Sequence, residues 1–276
     1  MRGKFRYYQA TILHTFLIIL IIINLFPLYF MASTSFRSER DYIFEPYSVP
    51  LRITFENFYE LIVKYNFVRT ILNSSIVTIC STIMGLVFSI LAAFAFVTMK
   101  FPSKRTLLNL FVALIAVPPI VVLIPVYVFM VKVGLINTYP SAIIVYTGFI
   151  IPFSIFLLTG FFQSIPVSLI DAARLDGCGD FRILWKIFLP LSKAPIITLI
   201  IVNGLWVWNE LLIALVFLQR EEMRTLMTVI AFSQSRFSRN VPFIMTQSLI
   251  ATIPPLVVYG ISRRHLVRGF MGGITK

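Results

Sequence analysis

Charge is what this chain has little of. Only 13% of its 276 residues are charged, and just 11 of them are Asp or Glu. Hydrophobic residues make up 58%. A water-facing domain has no means of covering so much apolar surface, so the solvent for most of this chain is lipid. Side chains that carry chemistry are equally scarce. The two cysteines, Cys80 and Cys178, and the two histidines, His14 and His265, lie far apart without metal-ligand spacing. No G-x-x-x-x-G-K-[ST] phosphate loop and no H-E-x-x-H helix is present. An enzyme centre, a metal site and a bound cofactor are therefore not expected on this chain. Low-complexity tracts and solenoid repeats are missing too.

What the chain does have is long apolar runs. About 20 such residues cross a bilayer as a helix, and six segments qualify: roughly 10–31, 70–98, 106–131, 140–163, 194–218 and 242–262. The expectation is an all-α membrane protein, a single transmembrane domain over 1–276 with six transmembrane helices. Pro118-Pro119 and Pro254-Pro255 interrupt the third and sixth runs, as membrane helices tolerate where neighbours repair the lost backbone bonds. The first run is longer than the apolar core of a signal peptide and is read as an anchor.

The net charge of +13 points to orientation rather than to nucleic acid. With the N-terminus cytoplasmic, the inner segments carry fourteen basic residues against Asp171, Asp176 and Asp180. The outer segments carry ten basic residues against seven acids. Both termini are thus expected on the cytoplasmic side of a cell membrane. The longest outer stretch, 32–69, has Phe55, Phe58, Tyr59 and Ile62 at helical spacing, which suggests a helix along the membrane surface.

Between the fourth and fifth runs lies a polar island, 165–195, with its own helix signals. Pro166 suits a helix start, Gly177 and Gly179 a chain reversal, and Asp180 an N-cap. Phe181, Leu184, Trp185, Phe188 and Leu189 then form one apolar stripe, and Pro190 is expected to stop the helix. A helix resting on lipid headgroups would account for the Trp and the basic residues. It leaves Asp171-Ala172-Ala173 and Asp176-Gly177 unexplained, whereas small residues there allow close approach of a protein groove.

The pattern D-A-A-x-x-D-G-C at 171–178, with Ile187, Leu189 and Pro190 following, resembles the EAA loop of ABC importer permeases. Within that class the chain is similar to the carbohydrate-uptake, MalG-like type. Three other places carry the likeness: W-x-W-N-E-L-L-x-A-L-V-F-L at 206–218, Thr225-Leu226 with Ile230, and the tail at 268–276 with Gly269, Gly273 and Lys276. Asp171 stands where the family usually has Glu. The resemblance implies that Asp171, Ala172, Ala173, Asp176, Gly177, Leu189 and Pro190 couple the chain to a separate ATPase. It also implies a C-terminal tail, 263–276, that touches the ATPase pair. The partners it implies are a second, MalF-like permease subunit, two ATPase subunits holding ATP and Mg, and an extracytoplasmic sugar-binding protein.

Glu210 is the only acidic residue inside an apolar run, a functional candidate by its position alone. On a continuous helix Asn203, Trp206 and Glu210 share a face, and with Asn209 they form a candidate sugar cavity or gate. The competing reading makes Asn209 and Glu210 helix glue. Tyr127, Tyr146, Phe149, Phe153 and Phe156 are further cavity candidates. An ion-coupled secondary transporter is the alternative for the whole chain, and it needs an intramembrane charge at a midplane site.

Overall fold

A backbone in lipid must satisfy its own hydrogen bonds, and a single chain does so most simply as helices. The computed structural model describes residues 2–49, 52–63, 65–236 and 240–271, with side chains over 11–49, 52–63, 65–234 and 240–262. Every regular element among the described residues is helical. In order they are α1 (Arg2–Ser35), α2 (Glu39–Phe44), α3 (Glu56–Val63), α4 (Phe67–Thr98), α5 (Lys104–Ile115), α6 (Pro119–Lys132), α7 (Tyr139–Gln163) and α8 (Val167–Leu175). Then come α9 (Asp180–Ile183), a π turn (Leu184–Phe188), α10 (Leu189–Leu191), α11 (Lys193–Asn209), α12 (Leu212–Phe217), a 3₁₀ turn (Glu221–Met223), α13 (Leu226–Arg236) and α14 (Val241–Met271).

The chain packs as two units, one of Met1–Phe67 with Ile230–Ile253, the other of Val68–Val229 with Pro254–Lys276. In the first, α1 is largely apolar and exposed over 11–29, the state of a helix bathed in lipid. Its last carbonyls would be orphans, but Asn57 Nδ2 donates to Ser35 O (3.2 Å) and Arg37 O (2.7 Å), and Thr246 Oγ1 to Ser35 O (3.1 Å). The surface helix expected from Phe55 to Ile62 is α3. It buries Asn57 and Leu61 and leaves Tyr59 and Ile62 exposed, as is Phe55 just before it.

In the second unit α4 and α7 cross at Gly85, where a Cβ would sit 2.5 Å from Ile150 Cδ1. One core, around Tyr146, Ile150, Val207 and Phe217, fills one end of this unit. A second, called the lower core and built around Phe94, Phe162, Leu184 and Phe188, fills the other.

Among the described residues four helices are long and apolar enough to cross a membrane: Thr11–Ser35, Phe67–Thr98, Tyr139–Gln163 and Val241–Ser262. They match four of the six expected runs. The other two expectations need correction. The run 106–131 is two helices, α5 and α6, set at 102°. The residue before a proline is pushed out of the helical region, and Pro118 (ψ 138°) turns the chain before Pro119 opens α6. The run 194–218 is also broken, because α11 ends at Asn209 and Glu210 adopts extended backbone (ψ 131°). At its other end α11 meets the island helix at 78°.

Candidate docking surface and membrane cavity

The island begins with α8, and its C-terminus explains the motif around it. Gly177 has φ +76°, Gly177 N donates to Arg174 O (3.0 Å) and Cys178 N to Ala173 O (2.9 Å). This is the Schellman closure, which satisfies two end carbonyls and needs the left-handed conformation at its glycine. Ala173 and Cys178 both pack against the lower core, as that closure favours. Nothing stands within 4 Å of a Cβ placed on Gly177, so conformation and not space selects glycine there. Asp171, Ala172, Asp176 and Gly177 are all exposed. Half of the motif builds the turn and the other half is left on the surface.

The second helix of the island differs from expectation in three ways. Gly179 is the N-cap and Asp180 the first helical residue, where its charge suits the helix dipole and pairs with Arg174 at 3.2 Å. Pro190 does not stop the helix, which runs to Leu191. A proline ring clashes with the carbonyl four residues back, and the π turn just before it, with Leu189 N on Leu184 O, opens the ladder at that point. The single stripe is really two faces. Ile183, Leu184 and Phe188 are buried, whereas Phe181 and Trp185 are 70% and 58% exposed and lie against each other at 6.2 Å. Leu189 packs at the edge of the lower core and Pro190 is exposed.

Phe188 ties the island to the membrane helices. Its ring meets Phe94 of α4 at 5.0 Å and Phe162 of α7 at 4.9 Å, both edge to face, and it is fully buried. Edge-to-face pairs are worth about 0.5–1.5 kcal/mol each beyond their buried area. Phe94 and Phe162 were not recognisable as partners from the sequence, since nothing in 27 phenylalanines distinguishes them. On the outer surface, Phe181, Trp185, Arg182, Lys186, Gly177 and Gly179 border an open depression. That surface is aromatic at its centre and basic at its rim.

Glu210 sits at the break rather than on the α11 face with Asn203 and Trp206. Its Oε1 accepts from Leu212 N (2.8 Å), and its Oε2 from Ile213 N (2.9 Å) and from Tyr146 OH (2.8 Å). The carboxylate therefore caps α12 and holds α7 to it, with both of its oxygens engaged. Asn209 is exposed and returns its amide to Leu205 O (2.7 Å). Asn203 is buried and donates to Ser154 Oγ (2.8 Å). Only Asn203 and Trp206 of the four border a cavity, of about 280 Å³, together with Phe149, Phe153, Leu114 and Pro119. Trp206 lies edge-on to Tyr146 at 6.1 Å. Of the other aromatic candidates, Tyr146 is buried, Tyr127 packs on Phe217 at 6.2 Å and Phe156 is exposed.

Just beyond Glu210 the chain is clasped by amides and hydroxyls. Asn137 Oδ1 accepts from Gln219 N (2.7 Å), and Asn73 Nδ2 donates to Glu222 O (2.9 Å) and Arg224 O (3.0 Å). Tyr139 OH donates to Asn73 Oδ1 (2.7 Å), and Leu226 N to Ser74 Oγ (2.7 Å). The tail residues 272–276 lie outside the described residues, as do the side chains of 263–271.

A broken-helix bundle with a projecting helical island defines a class, the multi-pass membrane permeases. Residues 85–272 match the model of the binding-protein-dependent transport system inner membrane component, and the chain belongs to that family. It is 36% identical to an ABC transporter permease protein of Caldicellulosiruptor sp., over 91% of each chain. It is 28% identical to the melibiose/raffinose/stachyose import permease protein MelC of Bacillus subtilis, again over 91% of each. It is 33% identical to the alpha-glucoside transport system permease protein AglG of Rhizobium meliloti, over 85% of this chain and 63% of that one. The fold is that of a chain from a bacterial ABC transporter for the acidic polysaccharide alginate, with a TM-score of 0.79 at 22% identity over 92% of this chain and 95% of that one.

Proposed function

We propose that the chain is one permease half of an ATP-driven, binding-protein-dependent sugar importer. It pairs with a second permease subunit, two ATPase subunits that hold ATP and Mg, and an extracytoplasmic sugar-binding protein. Counting each bent helix pair as one span gives six crossings, with both termini and the island on the cytoplasmic side, in keeping with the excess of basic residues there. The substrate class rests on relatives named for sugars.

The observation that carries the coupling role is the division of the island into two faces. One face is locked into the bundle through Phe188, and the other offers Phe181, Trp185, Asp171, Ala172, Asp176 and Gly177 to a partner. Ala173, Leu189 and Pro190 support that surface more than they form it. Closure of the ATPase pair moves the island, and the lower core passes that motion to α4 and α7. In the membrane, Asn203 and Trp206 are the candidate sugar contacts, and Glu210 with Asn209 belongs to the outer gate. Because Glu210 is spent on capping, it is not free to serve as the ion site a secondary transporter needs.

The test is ATP hydrolysis by the purified assembly with and without sugar-loaded binding protein. Stimulation by the loaded protein is expected, and it should vanish in Gly177→Pro, whose ring locks φ near −65° where +76° is required. An assembly whose ATP turnover ignores the binding protein, or whose coupling survives that substitution, overturns the proposal.

A further inference from the structure

The cavity beside the α5–α6 break has a polar corner that the chain itself leaves open. Its walls are aliphatic and aromatic, from Leu114 and Pro119 to Phe149 and Trp206, with Asn203 as the one amide. Among the described residues no ionisable side chain lines it. Asn203 is only 3% exposed, and its Nδ2 donates to Ser154 Oγ (2.8 Å), which donates in turn to Ile150 O (2.8 Å). That relay fixes which way round the amide sits: the nitrogen is held by α7, and the oxygen is the free end.

Among the described residues Asn203 Oδ1 accepts no hydrogen bond, yet it is not sealed off as the unpaired hydroxyls of Ser81, Thr82 and Thr159 are. Asn203 borders the cavity, so its oxygen opens there. Trp206, 37% exposed, adds an indole N–H with no acceptor among the described residues. The volume, about 280 Å³, lies at the small end of ligand pockets, ~300–1,000 Å³. One turn of a packed helix, about 10 Å wide and 5.4 Å long, takes roughly 420 Å³ and does not fit. A lipid chain has no donor for the amide oxygen. An ionised group would leave water for a wall with no counter-charge. A pyranose matches what remains, since its C–H face suits an aromatic wall and its hydroxyls both donate and accept.

We propose that this cavity is a subsite for a single uncharged sugar ring, with Asn203 Oδ1 accepting one ring hydroxyl and uronic acids excluded. Ser154 is the positioning residue, because it turns the amide oxygen toward the sugar without touching it. The inference rests on the importer reading and narrows the substrate class at this point in the path.

The experiment is saturation-transfer NMR on the purified assembly in nanodiscs, without binding protein. The probes are methyl glucoside and methyl galactoside against glucuronate and galacturonate. A neutral glycoside is expected to bind, and the uronates roughly a hundredfold more weakly. Asn203→Leu should weaken the neutral probe about tenfold. Ser154→Ala should weaken it several-fold in the wild-type background and no further in Asn203→Leu, a non-additivity that a general loosening of the bundle would not give. Binding of neither glycoside, equal binding of the uronates, or an Asn203→Leu titration that matches wild type overturns the subsite. Additive losses from the two substitutions remove Ser154 from its role. An assembly whose ATP turnover ignores sugar-loaded binding protein overturns the importer reading instead.

Discussion

The two ends of the second unit solve opposite problems with similar parts. Both interrupt helices with polar residues in a short space. At the Glu210 end every interruption is closed internally: the carboxylate caps α12, Asn137 and Asn73 hold the following loop, and Tyr139 and Tyr146 complete the set. At the island end the backbone is closed by Gly177, but the side chains of Asp171, Asp176, Phe181 and Trp185 remain exposed. One end is finished without help. The other is complete only as backbone, and its aromatic pair is left uncovered.

This contrast can be broken at several strengths. The largest effect is expected from Phe188→Ala, which empties the joint between α4, α7 and the island. Truncating a buried Phe costs about 3–5 kcal/mol, so the purified chain should melt markedly lower and binding-protein stimulation of ATP turnover should be lost. A variant that stays coupled would show that the island moves independently of this joint.

Next comes Phe181→Ala/Trp185→Ala on the open face. Both side chains are mostly exposed, so the isolated chain should keep its melting temperature. Affinity for the ATPase subunits should fall by about 2 kcal/mol or more, the scale of aromatic hot spots, measured by titration of the permease pair in nanodiscs. Loss of stability instead of affinity would place these rings in the fold.

At the other end, Glu210→Ala removes a helix cap, about 0.5–2 kcal/mol, and leaves the buried Tyr146 O–H without its acceptor. Lower stability with near-normal sugar affinity is expected. Glu210→Gln keeps one acceptor oxygen, enough for Ile213 N and Tyr146 OH but not for Leu212 N, and should recover part of it. If Glu210→Gln were as stable as wild type but failed to transport, the carboxylate would have a direct part in transport after all. The smallest effect belongs to Asp180→Asn: its pair with Arg174 is half exposed on both sides and should contribute under 1 kcal/mol.

The island's first helix and turn were legible in the sequence because Gly177 has one physical reason to be there and its neighbours share it. Four of the six runs were legible because length and hydropathy suffice for straight helices. The break at Glu210 was not. Its signal is a single acid in an apolar run, and that acid caps the very helix it interrupts, which composition cannot distinguish from a carboxylate in a cavity. The two faces of α9 and the π turn were hidden for a related reason. An i, i+3, i+4 pattern says that residues are adjacent, not which edge of a broad apolar arc the core takes. Asn203 and Trp206 both lie on the unbroken part of α11 and border one cavity, whereas Glu210 falls beyond its end.

The edge-to-face seating of Phe188 also sets a mechanical ratio. Phe162 lies at one end of α7, a helix of 25 residues that rises about 37 Å to Tyr139. A tilt of roughly 5° imposed at the phenylalanine joint carries the far end sideways by about 3 Å over that length. Tyr139 and Tyr146, which hold Asn73 and Glu210, ride on that arm. If α7 alone tilts against α4, with the three phenylalanine rings as its pin, travel of that size at Tyr139 would part its hydrogen bond to Asn73.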